Sequence, residues 1–132
     1  MSRLTARIDQ VNCIQGLCII SFDLNGQKLS MVSLDLDENV NIGSRCILSV
    51  NPSHVAIGKD FSGMLSYSNQ LSARIIAIEN GELLSRITLD ISGNRVESLI
   101  TVSSSKRLAL EIGGKVIALI KATELSIVEV LP

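Results

Sequence analysis

The sequence predicts an all-β protein: two tandem OB-like five-stranded β-barrels, each with at most one short helix. Three observations lead there. The chain of 132 residues holds 17 Ile, 10 Val and 18 Leu against two Phe, one Tyr and no Trp. β-Branched side chains suit a pleated surface, so this apolar content favours strands. Second, apolar residues alternate with polar ones over short runs, the period of a strand with one buried face. Third, the chain repeats itself. Leu4-Thr5-Ala6-Arg7-Ile8 returns as Leu71-Ser72-Ala73-Arg74-Ile75, an offset of 67. The same offset pairs Ile20 with Ile87, Phe22 with Leu89, Asp23 with Asp90 and Gly26 with Gly93. Beyond three extra residues between Thr101 and Glu111 the offset becomes 70, pairing Ile42-Gly43 with Ile112-Gly113, Ile47 with Ile117 and Ile57 with Ile127. Repeats of this kind mark a duplicated module. The expected division is residues 1–62 and 63–132, with a joint near 58–70.

Taken in order, the second copy predicts strands near residues 71–78, 84–91, 96–101, 116–122 and 125–130. Leu83, Ser85, Ile87, Leu89 and Ile91 form one face, and Leu84, Arg86, Thr88 and Asp90 the other. Ser92-Gly93-Asn94 and Asn25-Gly26 read as turns, because Gly and Asn tolerate positive φ. The run Val116-Ile117-Ala118-Leu119-Ile120 is apolar on both faces, so both should be covered. Residues 103–110 read as the one helix, opened by hydroxyls suited to capping and stopped before Gly113-Gly114. Five strands and a short helix per copy suggest the OB type of barrel. A barrel of about 60 residues is marginal alone, so the two copies should bury what each leaves open.

Composition excludes several functions. This much Ile and Leu is incompatible with a disordered tail. Aromatics at 2% supply no stacking platform for single-stranded nucleic acid. A net charge of −1 creates no long-range field for nucleic acid or anionic lipid. The first residues alternate polar and apolar without the apolar core of a signal peptide. The longest apolar run is far short of a membrane span. A cytoplasmic protein with no membrane and no nucleic-acid partner is expected. Cys13, Cys18 and Cys46 have no CxxC spacing and only His54 beside them, so no metal site is expected and the thiols read as reduced and buried.

Catalytic chemistry is hard to find. His54 has no nucleophile that sequence places beside it. Asp35, Asp37 and Glu38 read as a solvated loop rather than a calcium loop. No GK[ST] phosphate loop is present. The better candidate is the start of the predicted helix. Thr101, Ser103, Ser104 and Ser105 gather where backbone N–H groups are free and the helix dipole is positive, an arrangement that takes tetrahedral anions. Lys121 lies in the middle of an otherwise apolar segment, 116–122, and calls either for solvent or for an anionic partner. Capping serines and a snorkelling lysine are the plainer reading of the same residues. The first repeat has Leu34-Asp35-Leu36-Asp37-Glu38 and Asn51 at these places, so an anion site would belong mainly to the second.

The second repeat resembles the Mop (molbindin, or TOBE) family. The likeness is carried by Ile100-Thr101-Val102-Ser103-Ser104-Ser105-Lys106-Arg107-Leu108-Ala109-Leu110-Glu111-Ile112-Gly113, then Val116-Ile117-Ala118-Leu119-Ile120-Lys121-Ala122. The family opens with S-A-R-N-[QV]-L, which Ser66-Tyr67-Ser68-Asn69-Gln70-Leu71 matches at the family's spacing to the next turn glycine, Gly81. Ser72-Ala73-Arg74 matches the letters but not the register. The whole chain is also similar to the C-terminal regulatory half of molybdate ABC-transporter ATPases, where a degenerate first repeat ends in a segment like Asn51-Pro52-Ser53-His54-Val55.

The resemblance implies two tandem Mop repeats that bind molybdate or tungstate, without catalysis, at interfaces between repeats or subunits. It assigns the anion to Ser66, Ser68, Asn69, Thr101, Ser104 and Lys121, with Ala122 offering backbone. Ser68 departs from the family, which has Arg there; the loss removes a bidentate cation, for which Arg74 or Lys106 are the available substitutes. It further implies a homo-oligomer, a dimer by the likeness to the transporter half or else a trimer, and docking to a molybdate transporter or regulator. The chemistry agrees: a tetrahedral dianion only accepts, so it needs O–H and N–H donors and a cation.

Overall fold

A computed structural model describes residues 2–34 and 36–132. Met1 and Asp35 lie outside the described residues. The strands are β1 (Ser2–Ile14), β2 (Leu17–Leu24), β3 (Gln27–Ser33), β4 (Arg45–Val50), β5 (Ala56–Gly58), β6 (Asn69–Asn80), β7 (Leu84–Ile91), β8 (Asn94–Thr101), β9 (Lys115–Ile120) and β10 (Leu125–Val130). One helix, α1 (Val102–Arg107), follows β8, and 3-10 turns at Pro52–His54 and Ala122–Glu124 precede β5 and β10. The predicted strands are found within a few residues of their expected places. The helix is shorter than predicted, because Ala109 takes a left-handed φ of 50°. Just past its end, the carbonyls of Leu108 and Ala109 accept from the Lys59 ammonium at 2.9 and 3.0 Å. Lys121 does not lie inside a strand: β9 stops at Ile120, and Lys121 is exposed at the start of the second 3-10 turn.

All neighbouring strands are antiparallel, in two five-stranded sheets ordered β10-β4-β1-β2-β3 and β5-β9-β6-β7-β8. The last strand of each repeat therefore sits in the other repeat's sheet. β10 pairs with β4, Leu125 opposite Val50, and β5 pairs with β9, Ile57 opposite Ala118. The sheets are thus interlocked across residue 62. The two-residue turns Asn25-Gly26 and Ser92-Gly93 both have positive φ at both positions, the geometry that matches strand twist. Both repeats also carry a bulge at the equivalent point of β1 and β6, where a barrel wall must bend.

The inward positions repeat by two. Ile87, Leu89 and Ile91 are fully buried, as are Ile20, Phe22 and Leu24, and the buried residues of both sheets form one contiguous core. Leu83, placed by sequence on the buried face, precedes β7 and is 80% exposed. β9 is covered on both faces as expected: Leu119, on the outer side, is buried near Phe61, whose ring occupies the space beside Gly58 that a Cβ would need.

The barrels are joined by side chains acting as strands. The Asn69 amide, fully buried, accepts from Ser30 N at 2.7 Å and donates to Ser30 O at 2.9 Å. At the equivalent place Ser2 Oγ accepts from Glu97 N at 2.8 Å. Gln27 makes the same two-pronged bond to the Ser72 backbone, and Asn94 Oδ1 accepts from Thr5 N. β3 and β8 are sheet edges: Asn69 and Ser2 satisfy backbone groups that these edges leave open, while Gln27 and Asn94 reach from them to backbone groups of β6 and β1.

The cysteine expectation is corrected. Cys13 and Cys18 face each other across the β1–β2 hairpin, Cα atoms 4.1 Å apart, and form a disulfide. A two-residue turn at Gln15-Gly16 brings them together, a proximity that spacing alone does not reveal. Cys46 is free and fully buried.

Candidate functional site

The expected anion ligands fall into two groups. The first is at the start of β6. The β6–β9 ladder ends at Asn69 opposite Ile120, so Ser68 and Lys121 leave it side by side. Ser66, Ser68 and Lys121 are exposed and Ala122 is half-buried. Lys121 lines a cavity of 210 Å³ together with Ser53, His54, Ala56, Tyr67 and Glu124. Only Lys121 among these is a ligand expected from sequence; Ser53, His54, Ala56, Tyr67 and Glu124 are not. His54 Nδ1 lies 2.8 Å from Glu124 Oε2, joining the two 3-10 turns. His54 and Glu124 occupy the same position in the two repeats, 70 residues apart. Equivalent residues meet at a pseudo-twofold axis, as Asn25 and Ser92 also do through Asn25 Nδ2 and Ser92 O. That symmetry, applied to the repeat, is the signal that could have found the pair.

The second group is at the start of α1. Thr101 caps the helix: its Oγ1 accepts from Ser104 N at 3.1 Å and donates to Ser104 Oγ at 2.9 Å. Another N–H of the first turn, on Val102, is given to Leu83 O. The helix has six residues and two of its free donors are already used, so its dipole is a lesser attraction for an anion than the sequence suggested. A cation is present instead. Arg107 donates to Ser104 Oγ at 3.3 Å, one turn along the same face. Of the substitutes named from sequence for the Arg missing at position 68, Arg74 sits on β6 opposite Asp90 and Lys115, and the Lys106 side chain makes no hydrogen bond or ion pair among the described residues.

One chain does not bring the groups together. β6 runs from Asn69, beside the Lys121 group, to Asn80; β7 returns from Leu84, which is paired with Thr101. Thr101 and Ser104 thus lie at the far end of β6 from Ser68 and Lys121, separated by roughly 35 Å of strand. Asn69 itself is committed: both ends of its amide bind Ser30, and none of it faces the Lys121 cavity. Asp37 and Glu38 are exposed in a turn, and no group of three or more His, Cys, Asp or Glu that could hold a metal exists among the described residues. No described helix is long and apolar enough to cross a membrane.

Fold and site define a class first: two OB-like barrels in one chain that exchange their last strands, with clustered hydroxyl, amide and cationic donors at the barrel ends. Comparison with known proteins gives the family. The TOBE domain model matches residues 65–127. A probable molybdenum-pterin-binding protein of Haemophilus influenzae is 36% identical over 64 residues, 48% of this chain and 93% of that protein. Molybdenum-pterin-binding protein 1 of Clostridium pasteurianum is 30% identical over 64 residues, 48% of this chain and 94% of that protein. The chain belongs to the molbindin (TOBE) family. Its whole length shares the fold of the cytoplasmic molybdate-binding protein ModG, solved with molybdate bound: TM-score 0.88 at 23% identity, covering 98% of this chain and 95% of that one. These relatives are named as binding proteins.

Proposed function

We propose that this chain binds molybdate or tungstate without catalysis, at interfaces between repeats or subunits, and so stores, buffers or reports the intracellular level of the anion. The observation that carries this reading is the donor set at the two ends of the second barrel. Thr101, Ser104 and Arg107 at one end, and Ser66, Ser68, Lys121 and the Ala122 backbone at the other, are hydroxyls, N–H groups and cations. That is the inventory a tetrahedral dianion requires. The relatives matching this repeat are named for binding molybdenum-pterin, and ModG, of the same fold, holds molybdate. Because the two groups are too far apart in one chain, a complete site would take Lys121 from one chain and Thr101 from another. Homo-oligomers, dimer or trimer, serve that arrangement, and bound anion would stabilise them by mass action. Calorimetric titration with molybdate, tungstate and sulfate is the direct test. Saturable heat with the first two is expected; no heat and no shift in melting temperature with any anion ends this reading.

A second reading has its own support. Ser68 replaces the family's Arg, and Glu124 puts a carboxylate beside Lys121. Both weaken an anion site, as would suit a module that docks on a molybdate transporter or regulator. Affinity capture that returns such a partner while the protein carries no anion would favour it.

A further inference from the structure

The cavity of Lys121 holds an unusual set of charges for an anion site. It contains one ammonium, Lys121, one carboxylate, Glu124, and one imidazole, His54, with the hydroxyls of Ser53 and Tyr67. His54 Nδ1 is within hydrogen-bond distance of Glu124 Oε2. When the imidazole is neutral, Lys121 and Glu124 cancel, and an entering dianion meets a carboxylate with no net positive charge against it. When the imidazole is protonated it donates to Glu124, and the cavity gains a unit of positive charge. We infer that anion binding in this cavity takes up a proton, and that His54 is the group that receives it.

The inference rests on the oxyanion reading above and adds its regulation. Histidine is the side chain whose charge ordinarily changes between about pH 5 and 8. The groups that face His54 are few. The 3-10 turn after β9 presents Glu124 and Lys121, and the segment before β6 presents Tyr67. β8, packed against the His54 turn, directs Ser98 there, and that hydroxyl is given to Val55 O. Of the charges of β8, Glu97 is held by Arg86 at 3.1 Å, and Arg95 is the register partner of Asp90 on β7. Glu124 is therefore the carboxylate that decides whether the cavity repels or accepts an anion. Binding and protonation favour the same state, so each strengthens the other by the same factor. The side chains are 46% and 35% exposed, so solvent moderates the coupling without removing it.

The test is calorimetry of the full chain with molybdate and tungstate between about pH 6 and 8.5, in two buffers that differ in ionisation enthalpy. Affinity is expected to fall as pH rises, by up to about tenfold per unit where uptake approaches one proton, and the observed heat should differ between buffers. His54→Gln should bind with the weaker, high-pH affinity throughout and lose the buffer-dependent heat. Glu124→Gln should bind more tightly than the unaltered protein at about pH 8.5. Equal affinity at all pH values, or an unchanged pH profile in His54→Gln, overturns the coupling alone. Absence of any binding by the unaltered protein overturns both the coupling and the oxyanion reading.

Discussion

Replacing Asn69 by Ala separates a structural role for this residue from a ligand role. The amide makes two bonds to one residue of the other barrel, Ser30 N at 2.7 Å and Ser30 O at 2.9 Å, from a fully buried position. Each such bond contributes about 1 kcal/mol net, and Ser30 would be left with an edge donor and acceptor only partly reached by water. The expected loss is about 2–3 kcal/mol. For a chain of this size that lowers the melting temperature by roughly 8–10 °C. Urea unfolding should show a lower midpoint with an unchanged slope, because the surface exposed on unfolding is the same. Ser2→Ala is the internal control. It removes the single equivalent bond, to Glu97 N at 2.8 Å, and should cost about 1 kcal/mol. Since neither end of the Asn69 amide is free, anion affinity measured below the melting temperature should change by less than about twofold. A destabilisation below about 0.5 kcal/mol, or a tenfold loss of affinity without one, would refute the reasoning.

Three further outcomes follow from the same geometry. Lys121→Ala should weaken molybdate binding in calorimetry by about tenfold or more, the worth of one charge-assisted bond, while leaving the melting temperature nearly unchanged because Lys121 is exposed. Reducing the Cys13–Cys18 bond should cost at most about 2 kcal/mol, because the closed loop is short, and melting with and without reductant reads it. Burial raises the Cys46 thiol above its ordinary value, so the native protein keeps that proton where the unfolded chain loses it. The resulting stability is present below the ordinary thiol range and is lost as pH rises through the raised folded value. Urea midpoints should therefore fall on the alkaline side, and less so in Cys46→Ala, compared with its own neutral-pH midpoint.

The interlocked sheets explain why 60-residue modules with so few aromatics hold together. Each barrel supplies the other with a strand, and Asn69, Ser2, Gln27 and Asn94 tie the edges that remain. The same exchange places the two 3-10 turns against each other, which is how His54 of the first repeat comes to line the Lys121 cavity of the second. The degenerate repeat is thereby part of the candidate site, although its own counterpart of Lys121 is Asn51.

Much of this protein is determined by sequence alone. Alternation in Ser85, Ile87, Leu89 and Ile91 sets which face of β7 is buried, and Asn25-Gly26 sets a two-residue turn, because both depend on neighbours along the chain. The Mop pattern around Thr101 and Lys121 likewise marks donor residues without coordinates. Only the tertiary structure decided which partner each element takes. Leu125, Ile127 and Val130 would satisfy β9 as well as β4, since both repeats offer the same apolar edge, and periodicity reports that a face is buried but not against what. The commitment of Asn69 to Ser30, the meeting of Cys13 with Cys18, the Arg107–Ser104 contact and the His54–Glu124 pair are all decided in space. So is the separation of Thr101 from Lys121, because strands of a barrel carry residues that share one motif to its opposite ends.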